Sequence, residues 1–239
     1  ESLKFGIVGG IAHPQVDMTK VNYDKKPWTN NPTEQISYVS CHDDMCLVDR
    51  LKASIASLTD KNIPEAIRTA ELLRIDQLAQ TCVFTSQGVP FILAGEEMLR
   101  DKKGVHNSYN SPDSIQFPWS YLLKYPLAVA YFKMLIQRGK IHPAFRLSTG
   151  DKVRQHLEFL PAQETCLVGF QLKNLEGIDA WKNIIVIYNF NKEAKKMQIP
   201  EGNYTVACCN GVINEEGVGF VSGKEVEVAP QSALILYQK

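Results

Sequence analysis

The sequence predicts an α+β protein in two parts, on three observations. Before about residue 150, apolar residues recur at helical spacings of three and four, broken by short apolar runs that glycines bound. After that point, seven short β-rich runs follow one another, separated by turn-rich clusters such as EGNY and NEEGVG. The chain has 239 residues, enough to bury a substantial core in one large or two smaller domains. We place the boundary within residues 148–152, giving a helical region 1–150 and an all-β region 151–239 with the pattern of an antiparallel sandwich.

The elements are read in chain order. GIVGG at residues 6–10 lacks the full spacing of a dinucleotide fingerprint and follows no strong strand, so it reads as a loop and not a phosphate cradle. ISYVS, residues 36–40, is a strand candidate, and residues 44–58 are a helix candidate with Leu47, Leu51, Ile55 and Leu58 on one face. Pro64 then opens a long helix, with Glu65 in its first turn where the dipole favours an acid. Leu72, Ile75, Ala79 and Cys82 mark its expected buried face. VPFILAG, residues 89–95, reads as a strand buried on both faces. LAVAYFKMLIQRG, residues 127–139, reads as a second helix capped by Gly139, with Arg138 and Lys140 suited to its C-terminus. In the β-rich region, KEVEVAP alternates cleanly, placing Val226 and Val228 inward and Glu225 and Glu227 outward.

Composition excludes several function classes. Lys+Arg and Asp+Glu are both 26, so the formal net charge is zero, which argues against an electrostatic nucleic-acid binder. No run of about 18 apolar residues exists, so no membrane-spanning helix is expected. The six cysteines, Cys41, Cys46, Cys82, Cys166, Cys208 and Cys209, have no disulfide-framework spacing and read as reduced, mostly buried apolar residues. The start, ESLKFGIVGG, has neither an initiator Met nor the shape of a signal peptide, which reads as a processed or cut end.

The densest chemistry lies in YVSCHDDMCLVDRL, residues 38–51. His42 and Asp43 fall between the strand candidate and the helix candidate, and in α/β folds the C-terminal end of a strand is the functional rim. An imidazole beside a carboxylate there can grip sugar hydroxyls or take part in acid–base chemistry. On local grounds a plainer reading stands beside it, in which Asp43 or Asp44 is a helix N-cap and His42 a satisfied polar residue. Cys41, His42 and Cys46 also form a loose zinc-like set. No second Cys/His pair at finger-like spacing follows, and a structural zinc takes four ligands, so neither a metal nor another cofactor is expected.

An ordered set of segments decides between these readings. GIVGGIAHPQVD, Pro27-Trp28, ISYVSCHDD and GVPFILAGEEMLRDKKGVHNSYNSPDSI together resemble the C-terminal third of a type I pullulanase, the α-1,6-glucan debranching branch of the α-amylase clan. The resemblance covers residues 6–151 well, and the remainder fits that family's C-terminal β-domain in position and pattern. It implies that region 1–150 is the last part of a (β/α)8 barrel and that region 151–239 is an all-β sandwich domain. It further implies that Asp43 is the third acid of the active site, stabilising the transition state, with His42 bonding the same sugar ring. Glu96 and Glu97, at the rim of the eighth barrel strand, would be structural or subsite-shaping. Asn107, Tyr109, Asn110 and Asp113 would lie on a loop lining the glucan cleft, for which surface turn chemistry is the plainer alternative. IQFPW, residues 115–119, departs from the more polar Asn-x-x-Asp-Trp ending of relatives, which puts contacts there in doubt.

Two further acids are missing. Retaining glycoside hydrolysis uses a nucleophilic carboxylate and an acid about 5 Å apart. In this clan, the resemblance implies, the nucleophile is the Asp of an apolar-Arg-x-Asp strand end, and here Arg74-Ile75-Asp76 matches those letters only mid-helix. Region 1–150 is also short of the about 250 residues that a full barrel takes. The expectation is a C-terminal fragment of a debranching enzyme, inert by itself as a hydrolase. Its partners would be α-glucans such as pullulan, starch and glycogen limit dextrin, and its exposed barrel edges would favour self-association. The alternative is a non-catalytic carbohydrate-binding module, with Tyr109 and Trp119 as stacking platforms.

Overall fold

The computed structural model describes residues 1–162 and 164–239. The helical region opens with α1 (Ser2–Ile7), whose Phe5 and Ile7 are buried, and a turn in which Gly9 and Gly10 take positive φ. Strand β1 is two residues, Ile36–Ser37, and the following helix α2 is Leu47–Ser54. Helix α3 (Glu65–Thr85) is the long one, and it leads to β2, Val89–Pro90. Two short helices, α4 (Pro112–Ile115) and α5 (Tyr121–Lys124), precede α6 (Pro126–Ile141). Helix α7 (Gly150–His156) then delivers the chain into the sheet.

Helix α3 starts with Pro64 at its N-cap and Glu65 in the first turn, as the sequence predicts. Its buried face differs from the expected stripe. Leu72 and Leu78 are buried, but so are Asp76, Gln77, Gln80 and Thr81, whereas Ile75, Ala79 and Cys82 are half-buried. The C-terminal half of α3 is enclosed because it lies between α6 and the sheet strands, and polar groups there need partners. Thr81, Thr85 and Ser86 each donate a hydroxyl to the carbonyl four residues back. The Thr81 and Thr85 hydroxyls also reach Tyr131 and Tyr188, at 2.6 and 2.5 Å. Helix α6 runs past Gly139 and ends at Ile141, with His142 as C-cap, so Gly139 is an interior position and not a cap.

The strand candidates of region 1–150 are much shorter than expected. Only Ile36–Ser37 and Val89–Pro90 pair, in parallel, with Ile36 opposite Val89. Neither is buried: Ile36 is 58% exposed and Val89 46%. Parallel strands are ordinarily covered on both faces. Among the described residues, this pair has no further strand beside it, and the face bearing Ile36 and Tyr38 is bare while Ser37 and Val39 turn toward the core.

The all-β region contains β3 (Leu157–Leu160), β4 (Leu167–Leu172), β5 (Asn183–Asn189), β6 (Lys195–Cys209), β7 (Val212–Ile213), β8 (Gly219–Val228) and β9 (Ser232–Gln238). They form a single antiparallel sheet in the order β3-β4-β5-β9-β6-β7, and β8 also pairs β6, along the edge opposite β9. Two separately read runs, KKMQI and NYTVACC, are one 15-residue strand. The expected pair of stacked sheets is therefore one continuous sheet. Register shifts in β6 at Gln198/Gly202 and Val206/Cys208 let it bend and serve both halves.

Alternation along β5 shows why both faces are apolar. Ile184, Val186 and Tyr188 join a core with Phe5, Phe132 and Leu135 of the helical region, while Ile185 and Ile187 join Met197, Val226 and Leu236 inside the curl of the sheet. Val226 and Val228 are buried and Glu225 and Glu227 exposed, as the sequence indicates. Cys208 and Cys209 face opposite sides, one against each core. All six cysteines are free, with Cys46 and Cys208 buried and Cys166 exposed. The first of these cores spans residues on both sides of position 150.

Candidate functional site

The segment after β1 carries the residues of interest. Residues 41–46 form no helix. Helix α2 begins at Leu47 with Cys46 at its N-cap, so neither Asp43 nor Asp44 caps it, and the expected start at residue 44 is corrected by three positions. Asp44 instead takes a left-handed backbone, φ 59°, at the corner of the turn. His42 and Asp43 are exposed. The Asp43 Oδ1 accepts the Asp44 N–H at 3.0 Å, and among the described residues no side-chain partner occupies the His42 imidazole. An imidazole and a carboxylate thus leave consecutive positions of one turn with most of their bonding capacity open to a ligand.

The neighbouring acids are already engaged. The Asp44 carboxylate receives Arg50 Nη2 at 3.0 Å and faces His106 Nδ1 at 2.7 Å. The Met45 backbone N–H and the His106 ring hold its carboxyl below the usual aspartate range. Asp49, buried on α2, accepts the backbone N–H groups of Lys102 at 2.7 Å and Gly104 at 2.8 Å. Cys46 Sγ sits 2.8 Å from the same carboxylate, and burial beside Asp49 pushes its thiol up to about 12. A thiol so held is a poor zinc ligand, because metal binding takes the thiolate. Glu96 turns inward, where its carboxylate accepts the Ser40 hydroxyl and lies 3.5 Å from Gln80 Nε2. Burial outweighs these bonds and pushes its carboxyl up to about 6. Asp76 is 1% exposed within α3, and burial followed by the charge of Glu96 raises it well above the aspartate range. The described strand ends therefore present neither Asp76 nor Glu96 to solvent as a second catalytic acid.

The loop bearing Asn107, Tyr109, Asn110 and Asp113 is tied to the same turn through the His106–Asp44 contact. All four side chains are exposed, and Tyr109 is 78% so. Among the described residues none of the four side chains is engaged in a hydrogen bond, whereas Ser108 between them is buried. Arg100 braces the base of the loop, donating to the carbonyls of Ala94 at 3.0 Å and Ile115 at 2.9 Å and covering the Phe117 ring. Gly95 is obligatory beside it: its φ is 100°, and a Cβ there would meet the Arg100 side chain at 2.5 Å. Glu97 closes that corner by accepting the Gly95 N–H.

Comparison with known proteins shows what the chain is similar to. Residues 153–211 match the family model of the pullulanase all-beta domain. The pullulanase of Bacillus subtilis is 34% identical over 213 residues, which is 88% of this chain and 28% of that protein. The solved pullulanase from Bacillus acidopullulyticus superposes with a TM-score of 0.83 at 40% identity, covering 99% of this chain and 26% of that one. The chain resembles the C-terminal part of a pullulanase. A further solved pullulanase, the type I enzyme of Bacillus subtilis complexed with maltose, superposes with a TM-score of 0.82 at 29% identity, over 98% of this chain and 30% of that one. The chain thus spans well under half the length of the pullulanases it matches.

Several residues of this site escaped the sequence reading. The sequence pattern assigns no role to Asp49 or Lys102. Both are buried, at 3% and 2% exposure. The available signal was positional: Asp49 lies beside Val48 on the face of α2 that packs inward. The Asp44–His106 contact joins residues 62 apart, and no local pattern announces it.

Proposed function

We propose that this chain supplies one wall of the glucan cleft in a longer, pullulanase-like enzyme that hydrolyses α-1,6-glucosidic bonds with retention. In this reading region 1–150 is the last part of a (β/α)8 barrel, β1 and β2 are neighbouring barrel strands, and region 151–239 is the all-β domain. The observation that supports it most is the position of Asp43. It is an exposed carboxylate on the turn leaving the C-terminal end of a parallel strand, beside a free imidazole. TIM-barrel chemistry is built from such positions.

The roles follow from charge and geometry. Cleavage passes through an oxocarbenium-like state, and the Asp43 carboxylate stabilises that positive charge while gripping the hydroxyls of the sugar at the cleavage point. His42 bonds the same ring. Asn107, Tyr109, Asn110 and Asp113 contact sugars further along the cleft, and α-glucans such as pullulan, starch and glycogen limit dextrin are the substrates. The nucleophile and the acid come from outside this chain, and the reaction needs no cofactor. The bare apolar faces of Ile36, Tyr38, Val89 and Phe91 support this reading over a self-contained carbohydrate-binding module, which would close its own core.

Asp43→Asn in the longer protein tests the assignment. It preserves size and removes the charge, so kcat on pullulan falls by on the order of 10² or more. Near-normal kcat in a folded variant rejects the role given to Asp43.

A further inference from the structure

Lys102 is 2% exposed, yet among the described residues no carboxylate lies within ion-pair distance of its ammonium. Its partners are main-chain carbonyls. Nζ donates to the carbonyl oxygen of His42 at 2.6 Å and to that of Asp44 at 2.7 Å. Burying an ammonium without a counter-charge is costly, and a methionine would fill the same space without that cost. The ammonium therefore does something that packing does not require. Its two acceptors flank a single residue, Asp43.

The lysine is itself held from behind. Asp49 on α2 accepts the N–H groups of Lys102 and Gly104, which fixes the loop that carries Lys102. Lys103 between them adopts a left-handed φ of 55°. On the other side, Asp44 takes φ 59° and is anchored by Arg50 and His106. With the carbonyls of His42 and Asp44 drawn inward, the side chain between them is left facing solvent.

We propose that Lys102 is the positioning residue of this site: its buried ammonium clamps the carbonyls on either side of Asp43 and so sets the direction in which Asp43 and His42 meet a sugar. The inference rests on the reading of those two residues as glucan contacts. Positioning of this kind matters because a displacement of about 1 Å at a reacting centre can cost about a hundredfold in rate.

The wild-type chain gives the first test. With lysine labelled at 15Nζ, the Lys102 ammonium protons exchange with solvent at least about tenfold more slowly than those of exposed lysines such as Lys61. Exchange at the same rate overturns the proposal, and no variant has to fold for that result to count. In the second test, Lys102→Met accelerates amide exchange across residues 41–45 by about tenfold, with the β5 amides as the reference for an intact fold. Unchanged exchange there overturns the clamp. In the longer protein, Lys102→Met lowers kcat on pullulan about a hundredfold with a much smaller change in KM, and Lys102→Arg, which keeps charge and donors, recovers part of the loss. Unchanged kcat overturns the positioning role. Retained turnover in Asp43→Asn would instead reject the site reading on which the inference rests, and the ammonium exchange result is independent of it.

Discussion

The His142 imidazole lies face to face with the Trp181 indole, their ring centroids 3.7 Å apart. Trp181 in turn stacks on Tyr237 of β9 at 4.0 Å. The edge of the imidazole is used as fully as its face. Nδ1 meets Asp179 at 2.7 Å and Nε2 meets Glu215 at 3.0 Å, and Arg138 donates to Glu215 at 3.0 Å. His142 and Arg138 belong to the end of α6, while the two acids and Trp181 come from loops of the sheet. This cluster fastens the helical region to the all-β region.

Its pH dependence has a definite sign. Burial alone lowers the His142 pKa, but the two carboxylates outweigh it and hold the ring above the ordinary imidazole value. A group raised in the folded state contributes stability that is fully present below its unfolded pKa and is lost as pH rises through the folded one. The chain therefore loses stability upward from about pH 6.5, the ordinary histidine value. Burial works against ionised Asp179 and Glu215, yet the bonds from His142 hold both below their usual range, so their contribution disappears only in acid. His142→Gln abolishes the loss on the alkaline side and, by leaving Asp179 and part of Glu215 unpaired, costs about 3 kcal/mol near neutrality. Urea unfolding between pH 5 and 9 measures both, and an alkaline loss that persists in the variant refutes the assignment.

Glu96 is raised where Asp179 and Glu215 are lowered, so its linkage has the same sign as that of His142. Burial raises its carboxyl to about 6, above the ordinary glutamate value, so the folded state resists its ionisation. Stability falls as pH rises between roughly 4.5 and 6, the interval between its unfolded and folded values. Glu96→Gln keeps an oxygen to accept the Ser40 hydroxyl and removes the charge. The variant is more stable at pH 7 by about 2 kcal/mol and indistinguishable below pH 4. A destabilised Glu96→Gln at pH 7 would show that the ionised carboxylate is the form the fold uses.

The isolated chain releases no maltotriose from pullulan. Among the described residues, Asp43 is the exposed acid of the strand-end turn whose carboxylate has no cationic partner, since Asp44 is paired, Asp76 is sealed inside α3 and Glu96 faces Ser40. Retaining hydrolysis takes two carboxyl groups across the bond in addition to a stabilising one. Product from a pure preparation, detected by chromatography, would show that a second acid has been overlooked.

What the sequence disclosed divides along physical lines. Helices α3 and α6 were legible because apolar periodicity and a Pro/Glu start are local properties. The polar burial of Asp76, Gln77 and Gln80 was not, since it depends on the sheet that comes to cover them. Gly139 misled because a glycine followed by a lysine reads as a C-cap, whereas the helix simply continues through it. The strands of the all-β region were legible from alternation, but their union into one sheet rests on the bulges of β6, which no pattern marks. At the site, His42 and Asp43 stood out through a family resemblance. Lys102 did not, because a buried lysine and a solvated one look alike in sequence.

Stability should be divided unevenly between the two regions. Strand β5 is buried at every position after Asn183, pairs with β4 and β9 along its length, and lies in two cores. The β1–β2 pair is joined by few backbone bonds, among them Val89 N–H to Gln35 and Phe91 N–H to Ser37, both at 2.9 Å. Its apolar side chains, including Tyr38 at 55% and Phe91 at 41% exposure, are largely bare. Amides held by short, exposed ladders open locally at little cost, whereas those of a doubly covered strand open only with the whole fold. In a dilute sample the amides of Val89 and Phe91 therefore exchange orders of magnitude faster than those of Ile184 to Tyr188. Exposed strand edges also recruit other strands, so raising the concentration slows exchange at Val89 and Phe91 while leaving β5 unchanged. Strong, uniform protection across residues 36–95, in a sample that light scattering shows to be monomeric, would mean that the first region closes its own core, and the open-barrel reading would then have to be given up.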